Sequence, residues 1–299
     1  MGAHTCNGER LLRCTGDSSV VERTCFGIER CDADPGECTP ACGAGEVYIP
    51  PTGPDGFVMG GGFTVGAKAG RIGKGHQANS DRPHRVVLSR PFCIDVTEVT
   101  VADIARCVEE KGCEKPNPAR RFVTYPEKRD HPVNAYHWRA AKYFCEQHGK
   151  SLPTEAQWEW AATGGEEHEY PWGNEAATCE RADFTPGELH HPAGDAGCHG
   201  GGPSAVGSHP TGAKEWPAGK IHDLAGNVWE WCLDNYEPFR DRQEVDPLHQ
   251  TQENSPHVVR GGGWNRSAAG IKSRFRGGAR VDYMVPGLGF RCVRNAVDP

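Results

Sequence analysis

Fourteen cysteines are placed in this chain of 299 residues so that they constrain its fold more than any other feature. Six fall within residues 1–44 and eight in the remainder, yet none lies between Leu233 and Arg291. The chain also carries 39 Gly and 23 Pro, which favour turns over long helices and strands. A domain of that composition has a thin apolar core, so the even number of cysteines predicts disulfides formed in an oxidising compartment.

Charge and hydropathy exclude two classes of function. The formal net charge is −7, the pI is about 6.1 and no basic run occurs, so we expect no nucleic-acid partner. No apolar run reaches the roughly 18 residues of a membrane span. No export signal precedes the cysteine-rich segment, and we interpret the start at Met1 as a replacement for one that was removed. We therefore expect an extracytoplasmic protein, whether secreted, periplasmic or surface-anchored.

Residues 1–44 are predicted to form a small, separate, disulfide-rich module. The segment has few large apolar residues, so we expect three internal bridges among its six cysteines, with a connectivity that the sequence does not choose. A zinc module is disfavoured, because no Cys-x2-Cys pair occurs and no His lies between Cys6 and Cys42. Similar Cys- and Gly-rich leaders precede exported domains in some bacterial proteins.

Residues 45–299 are predicted to form an α+β domain with little regular secondary structure. Three helices are expected from capping residues and glycine stops. The signals are Thr100, Asp103 and Gly112 for the first, Asn134 and Gly149 for a second from about Ala135 to His148, and Thr154, Gln157 and Gly164 for the third. Short strands are predicted near residues 85–89 and 257–260.

Six short motifs follow one another in this second domain. They are His131-Pro-Val-Asn134, Leu152-Pro-Thr-Glu-Ala-Gln-Trp-Glu-Trp160, Tyr170-Pro-Trp-Gly-Asn174, His222-Asp-Leu-Ala-Gly-Asn-Val-Trp-Glu-Trp231, Val258-Val-Arg-Gly-Gly-Gly-Trp264 and Gly287-Leu-Gly-Phe-Arg-Cys-Val-Arg294. In this order and at these spacings the set resembles the formylglycine-generating enzyme family, also called the sulfatase-modifying factor family, over about residues 45–297. The resemblance implies an elaborated C-type-lectin-like fold.

The resemblance also shows where the known chemistry should lie. Enzymes of the family hold Cu(I) between two cysteines that follow the Arg-Gly-Gly-Ser-aromatic motif, and the copper activates dioxygen to oxidise a substrate cysteine to formylglycine. In this chain the matching positions are Arg266 and Ile271. Neither side chain suits Cu(I), a soft ion that prefers thiolates, and no shift of register recovers a cysteine. We therefore expect no copper there and no formylglycine synthesis by the known mechanism.

The residues around that position form a candidate pocket of Trp229, Trp264, Arg266 and Ser267. We interpret Ser267 as a residue that lines this pocket and not as a nucleophile, because the sequence places no His with an acidic partner beside it. Most of the motif tryptophans are expected in the core. Four arginines either anchor a carboxylate or peptide backbone or form ordinary ion pairs; they are Arg260, Arg274, Arg276 and Arg280.

A structural calcium loop is implied by the resemblance within the fourth motif. Its ligands would be the backbone oxygens of Asp223, Gly226 and Val228 and the side chain of Glu230. Ca²⁺ takes six to eight oxygens, many of them carbonyls, which a loop containing glycine can turn inward. The alternative is a Glu that only caps the amides of the turn. A second family calcium site near Asp183 and Phe184 is poorly matched around Cys198–Gly202.

The eight cysteines of the second domain are expected to be fully paired. The pairs are Cys107–Cys113 across the end of the first helix, Cys179–Cys198 around a Gly-rich loop and, implied by the resemblance, Cys145–Cys292. By subtraction, Cys93 would pair with Cys232. The predicted domain therefore has no free thiol to act as a nucleophile.

Two functions remain open. In the first, the chain is an exported, calcium-stabilised, non-catalytic binding or structural domain for an unidentified peptide, protein or glycan, since relatives without the cysteine pair exist. In the second, it is an oxygen-dependent oxidoreductase whose metal is held by residues other than cysteine. The candidates are His190, His191, His199 and His222, for which solvated side chains on a long loop are the simpler interpretation.

Overall fold

The helices and strands are short and joined by long irregular segments. The computed structural model describes residues 42–60, 83–118, 121–187, 197–252 and 254–295 in full, and the course of five strands within residues 4–40. The helices are α1 (Val101–Lys111), α2 (Trp138–Gln147) and α3 (Glu155–Thr163), with 3-10 turns at Pro210–Gly212 and Ala268–Ile271. The N-terminal strands are β1 (His4–Asn7), β2 (Arg10–Thr15), β3 (Ser18–Thr24), β4 (Glu29–Asp32) and β5 (Glu37–Pro40). The later strands are β6 (Glu46–Ile49), β7 (Phe57–Met59), β8 (His84–Val87), β9 (Phe92–Asp95), β10 (Lys214–Trp216), β11 (Gly219–Ile221), β12 (Trp229–Asn235), β13 (Glu244–Val245), β14 (His257–Arg260), β15 (Arg276–Ala279), β16 (Leu288–Gly289) and β17 (Val293–Asn295).

A four-stranded sheet in the order β15-β14-β12-β16 lies at the centre of the second domain. Strand β12 runs antiparallel to β14 and parallel to β16, so Glu230 lies opposite Arg260 on one side and Gly289 on the other. Two three-stranded sheets, β17-β9-β6 and β13-β8-β7, and the hairpin β10-β11 complete the domain. The N-terminal strands pair as β1-β2-β3 and β4-β5. This mixed arrangement confirms the α+β prediction.

Large aromatic side chains supply the bulk of the core. One buried cluster surrounds Trp138, Trp231 and Phe290, and a second surrounds Trp158 beneath α3. Trp158, Trp229, Trp231 and Trp264 are fully buried, although Trp229 and Trp264 are predicted from the sequence to line a pocket. Each stabilises the fold by about 3 kcal/mol through burial alone, which compensates for the short helices. Among the described residues, no helix is long and apolar enough to cross a bilayer.

Two of the three helices begin and end at the predicted residues. Thr100 with Asp103 and Thr154 with Gln157 both form capping boxes, before α1 and α3. The second helix starts later than predicted, at Trp138 with His137 as its cap. Ala135 has a φ of 52°, which a helix cannot contain.

Asn134 accounts for that delay, because its side chain has partners outside the helix. Its Nδ2 donates to the carbonyls of Phe122 and Pro286, at 2.8 and 2.6 Å, and its Oδ1 accepts from the Thr124 amide. An asparagine engaged in these contacts cannot cap the turn that follows it.

Three of the expected disulfides are present, and the fourth is not. The bonds Cys107–Cys113, Cys145–Cys292 and Cys179–Cys198 are formed. The prediction that Cys93 pairs with Cys232 is wrong, because Cys93 is bonded to Cys42 and Cys232 is a buried free thiol. The register of β6 on β9 places Tyr48 opposite Cys93, and a turn closed by the hydrogen bond from the Glu46 amide to the Gly43 carbonyl precedes β6. The chain before this turn lies against β9, where Cys42 reaches Cys93.

That bond also changes the prediction for the N-terminal module. Cys42 was expected to pair inside residues 1–44, but it is used to join this segment to the second domain. Three bridges within residues 1–44 are therefore impossible. The pairing of the other five cysteines lies outside the side chains that the structure describes.

Candidate functional site

The positions that match the family's copper ligands carry a guanidinium and an aliphatic side chain. The guanidinium of Arg266 lies over the ring of Trp229, 5.4 Å from its centre. Ile271 is fully buried at the end of the 3-10 turn, in a small apolar cluster with Tyr170 and Phe184. A guanidinium has no lone pair to offer a metal and its charge repels a cation, so these residues do not fit copper.

The residues of the candidate pocket are adjacent but do not line an open groove. Trp229 and Trp264 are only 1% and 2% exposed, and the ring of Trp264 packs edge-on against Phe122. The backbone carbonyl of Ser267 accepts from the amide of Gly270 inside the 3-10 turn. The indole Nε1 of Trp229 is buried with no hydrogen-bond partner among the described residues. The tryptophans therefore fill this region, with Arg266 stacked on one of them.

Cys232 does not replace the missing ligands. It lies on β12 within the buried cluster around Trp158. Burial raises the pKa of this thiol well above its ordinary value, and the nearby Glu155 carboxylate raises it further. A buried thiol of that kind is neither a metal ligand nor a nucleophile at neutral pH.

Both carboxylate oxygens of Glu230, the predicted side-chain ligand of the calcium loop, accept hydrogen bonds from the protein. Arg291 donates from Nε to Oε2 and from Nη2 to Oε1, each at 2.7 Å. The indole of Trp158 donates to Oε2 at 2.8 Å. Oε2 then has both lone pairs occupied, and only Oε1 keeps one for a cation. Glu230 alone therefore cannot supply the carboxylate oxygens that a calcium ion normally takes.

A second buried carboxylate, Glu98, lies beside it. Its Oε1 accepts from the Asn227 side chain at 3.0 Å, while its Oε2 is buried with no partner among the described residues. Burial raises the pKa of Glu98 well above its ordinary value, and the charges of Asp223 and Glu230 raise it further. Sequence reasoning used this part of the chain only as the lead-in to α1. The available signal was a single acidic side chain within the β-branched run Val96-Thr-Glu-Val-Thr-Val101.

The charges in this region suit a divalent cation. Three buried carboxylates, Glu98, Asp223 and Glu230, face a single buried guanidinium, that of Arg291, which leaves a formal excess of two negative charges. No described backbone amide donates to the carbonyl of Asp223 or Gly226. Uncompensated buried charge is costly, so an oxygen-binding cation would stabilise the site. The donor set fits calcium once Glu98 is included.

Asp183, which the family resemblance places near a second calcium site, is hydrogen-bonded within a turn. Asp183 accepts from the amide of Cys198 and from the hydroxyl of Ser204, at 3.3 and 2.7 Å. The disulfide Cys179–Cys198 closes the same turn. Each oxygen of the carboxylate therefore accepts one hydrogen bond from the protein and keeps one lone pair.

A histidine-based metal site is not formed in the described part of the chain. The rings of His199 and His209 are 5.8 Å apart, and His209 Nδ1 lies 3.9 Å from Asp223. Burial lowers the pKa of His209, which keeps it neutral. The described residues contain one compact group of potential metal ligands, and two of its three members are the disulfide-bonded Cys42 and Cys93. His190 and His191 lie outside the described residues.

The four arginines bind within the protein. Arg276 forms a bidentate ion pair with Glu155, with N–O distances of 2.7 and 2.6 Å. Arg260 is fully buried and forms an ion pair with Glu159. Arg280 pairs on the surface with Asp282, and Arg274 donates to two carbonyls. Their ordinary ion pairs and hydrogen bonds are thus the interpretation that the structure favours.

Comparison with known proteins identifies the scaffold. Residues 54–296 match the model of the sulfatase-modifying factor enzyme 1-like domain. The formylglycine-generating enzyme of Streptomyces coelicolor is 28% identical, over 88% of this chain and 94% of its own length. The inactive C-alpha-formylglycine-generating enzyme 2 of Bos taurus is 30% identical, over 80% of this chain and 87% of its own.

The fold has a counterpart among solved structures. PvdO from Pseudomonas aeruginosa superposes with a TM-score of 0.59 over 84% of this chain and 94% of that chain, at 19% sequence identity. At that identity the likeness concerns the fold alone. It agrees with the sparse α+β architecture described above.

Proposed function

Because this chain belongs to the sulfatase-modifying factor enzyme 1-like domain family, we propose that it is an exported, non-catalytic member whose scaffold binds a ligand instead of oxidising one. The observation that carries this proposal is the stacking of Arg266 on Trp229 at the position of a copper ligand, with the buried Ile271 at the other. A relative named as inactive supports it. The four disulfides of the described residues support an oxidising compartment.

A copper-binding assay tests this proposal directly. Purified protein is mixed with one equivalent of Cu(I) in the presence of a competing chelator, and a cysteine peptide is then followed by mass spectrometry for conversion to formylglycine. We expect no stoichiometric copper and no conversion. The double variant Arg266→Cys/Ile271→Cys should gain a two-thiolate copper site, and each single variant is its matched control. Stoichiometric copper or iron in the unaltered protein, or conversion of the peptide, would overturn the proposal.

We further propose that the scaffold is stabilised by Ca²⁺ bound between Glu98 and the loop of the fourth motif. The free Oε2 of Glu98, the remaining lone pair on Glu230 Oε1 and the loop carbonyls of Asp223, Gly226 and Val228 would hold it. Arg291 fixes Glu230 in position, and the cation offsets the excess negative charge. This set keeps the predicted loop and adds a carboxylate from outside it.

Thermal unfolding with calcium and with a chelator tests the calcium site. The unaltered protein should melt several degrees higher in calcium, as expected for a ligand that binds only the folded state. Glu98→Gln should lose that difference while staying at least as stable in chelator, because burial disfavours a charge at this position when no cation is bound. Glu110→Gln, on the exposed face of α1, should keep the full difference. An undiminished calcium effect in Glu98→Gln would show that Glu98 is not a ligand.

A further inference from the structure

A cleft of about 690 Å³ opens on the surface beside the Tyr170-Pro-Trp-Gly-Asn174 motif. It lies between the segment that follows α3, the Tyr170–Gly173 turn and the hairpin β10-β11. Its volume falls in the range of roughly 300–1,000 Å³ that is typical of small-ligand pockets. None of the residues assigned above to copper or calcium lines it.

The cleft contains one rigid aromatic surface, that of Trp172. Reciprocal backbone hydrogen bonds between Tyr170 and Gly173, both at 3.0 Å, fix the turn that carries it. The indole stacks parallel on Tyr170, with ring centres 4.8 Å apart, and its Nε1 donates to the Glu175 carbonyl. The Arg181 guanidinium also lies over this ring, 5.9 Å from its centre. The Trp172 side chain is partly exposed and already fixed by these contacts. Ligand binding would therefore cost little of its conformational entropy.

Cations lie deeper in the cleft than the carboxylates that accompany them. The ammonium of Lys214 is 2.6 Å from Glu166, but its side chain is 11% exposed against 53% for that of Glu166. Arg181 is 29% exposed, while its loose partner Glu175, at 3.7 Å, is 66% exposed and outside the lining. A carboxylate at the rim can turn into solvent at little cost. The buried side of the cleft therefore presents positive charge to a ligand.

The lining suits a sugar better than a peptide or a nucleobase. Apart from Trp172 its apolar contributions are small, from Pro171, Pro210 and Ala213. An apolar peptide side chain would find no deep pocket there, and a base would find no second aromatic surface. A sugar ring has one face of C–H groups that packs on an indole, and its hydroxyls both donate and accept, as the mixed Lys and Glu lining requires.

We propose that this cleft binds an acidic saccharide, one that carries a carboxylate or sulfate group. The sugar packs on the exposed part of Trp172 beside Arg181, and the anion binds Arg181 and Lys214 through charge-assisted hydrogen bonds. The inference rests on the proposed binding role, since it names the ligand of a scaffold that performs no oxidation.

Calorimetric titration with three defined probes tests the cleft. The probes are a trigalacturonate, a chondroitin sulfate hexasaccharide and the neutral cellotriose, all in 150 mM salt. We expect at least one acidic probe to bind at least tenfold more tightly than cellotriose. Trp172→Ala and Arg181→Gln should each weaken that binding at least tenfold. Trp172→Phe, which keeps an aromatic face, should weaken it less. Arg280→Gln should leave it unchanged, because Arg280 pairs with Asp282 and does not line the cleft.

Several results would overturn the inference. The inference fails if neither acidic probe binds at millimolar concentration, or if cellotriose binds as tightly as the acidic probes. It also fails if Trp172→Ala retains full affinity. Melting temperatures of the variants show whether a loss of binding is only a loss of folding. The copper and peptide assay is independent of this cleft, so a negative titration leaves the non-catalytic role standing, and peptide oxidation would refute that role whatever the titration shows.

Discussion

The Cys42–Cys93 bond and the Cys93–Cys232 pairing expected from the sequence predict different effects of cysteine substitutions on stability. The bonded residues are 51 positions apart, and the chain-entropy model gives about 4 kcal/mol of stabilisation for a loop of that length. Cys93→Ala should therefore lower the free energy of unfolding by about 4 kcal/mol. Cys232→Ala removes only a buried sulfur and should cost about 1 kcal/mol. At about 2 °C per kcal/mol, the two melting temperatures should differ by about 6 °C.

Calorimetry of oxidised protein measures this difference, with Cys42→Ala as the matched control. Cys42→Ala and Cys93→Ala should be equally unstable, and the double variant should be no worse than either, because all three lack the same bond. Non-reducing peptide mapping should recover Cys42 linked to Cys93. If Cys232→Ala instead matched Cys93→Ala, and their double variant added nothing, the bond would join those two residues and the reasoning would be refuted.

Three further substitutions test the buried polar contacts. Burial raises the pKa of Glu46, but hydrogen bonds from Arg294 and Lys150 outweigh this and hold it at about 2, below the ordinary 4.5. The ionised Glu46 carboxylate therefore stabilises the fold above about pH 4.5, and this stabilisation is lost as the pH falls towards 2. In urea titrations, Glu46→Gln should lower the free energy of unfolding by about 2 kcal/mol at pH 7 and by almost nothing at pH 2. Arg291→Gln removes the partner of the buried Glu230 and should cost about 4 kcal/mol by the same titration; a loss below 1 kcal/mol would contradict the buried ion pair. Gly226→Ala would place a Cβ 2.2 Å from the Asp183 carbonyl at a φ of +83°, so we expect a loss of about 3 kcal/mol, and a normal melting curve would contradict the close approach.

Features that depend on a few neighbouring residues were predictable from the sequence. The capping boxes at Thr100 and Thr154 each close within three residues, so their residue types determine them. Asn134 has the same capping chemistry, but its amide reaches Pro286, a contact across 152 positions that outcompetes the local turn. Helix starts are therefore predictable only where no distant partner competes for the cap.

In the candidate site, too, some features could be predicted from local sequence and others depend on contacts between distant segments. The prediction that Arg266 and Ile271 do not bind copper follows from residue identity alone, and the motifs supply the register. The partners of Glu230 do not follow, because Trp158 and Arg291 come from distant segments that meet only when α3 and the end of the chain pack on β12. Residue type shows that a carboxylate can bind calcium, whereas the packing determines which carboxylate is left free to do so.

The bond from Cys42 to Cys93 means that residue 44 is a boundary in sequence but not in covalent structure. A fragment that begins at Gly45 would carry an unpaired Cys93 in the β17-β9-β6 sheet, next to the Glu46–Arg294 ion pair. In the oxidised protein, a protease that cuts between residues 43 and 92 would leave both pieces joined, and only a reducing gel would reveal the cut. The minimal unit for expression and for binding studies therefore includes Cys42.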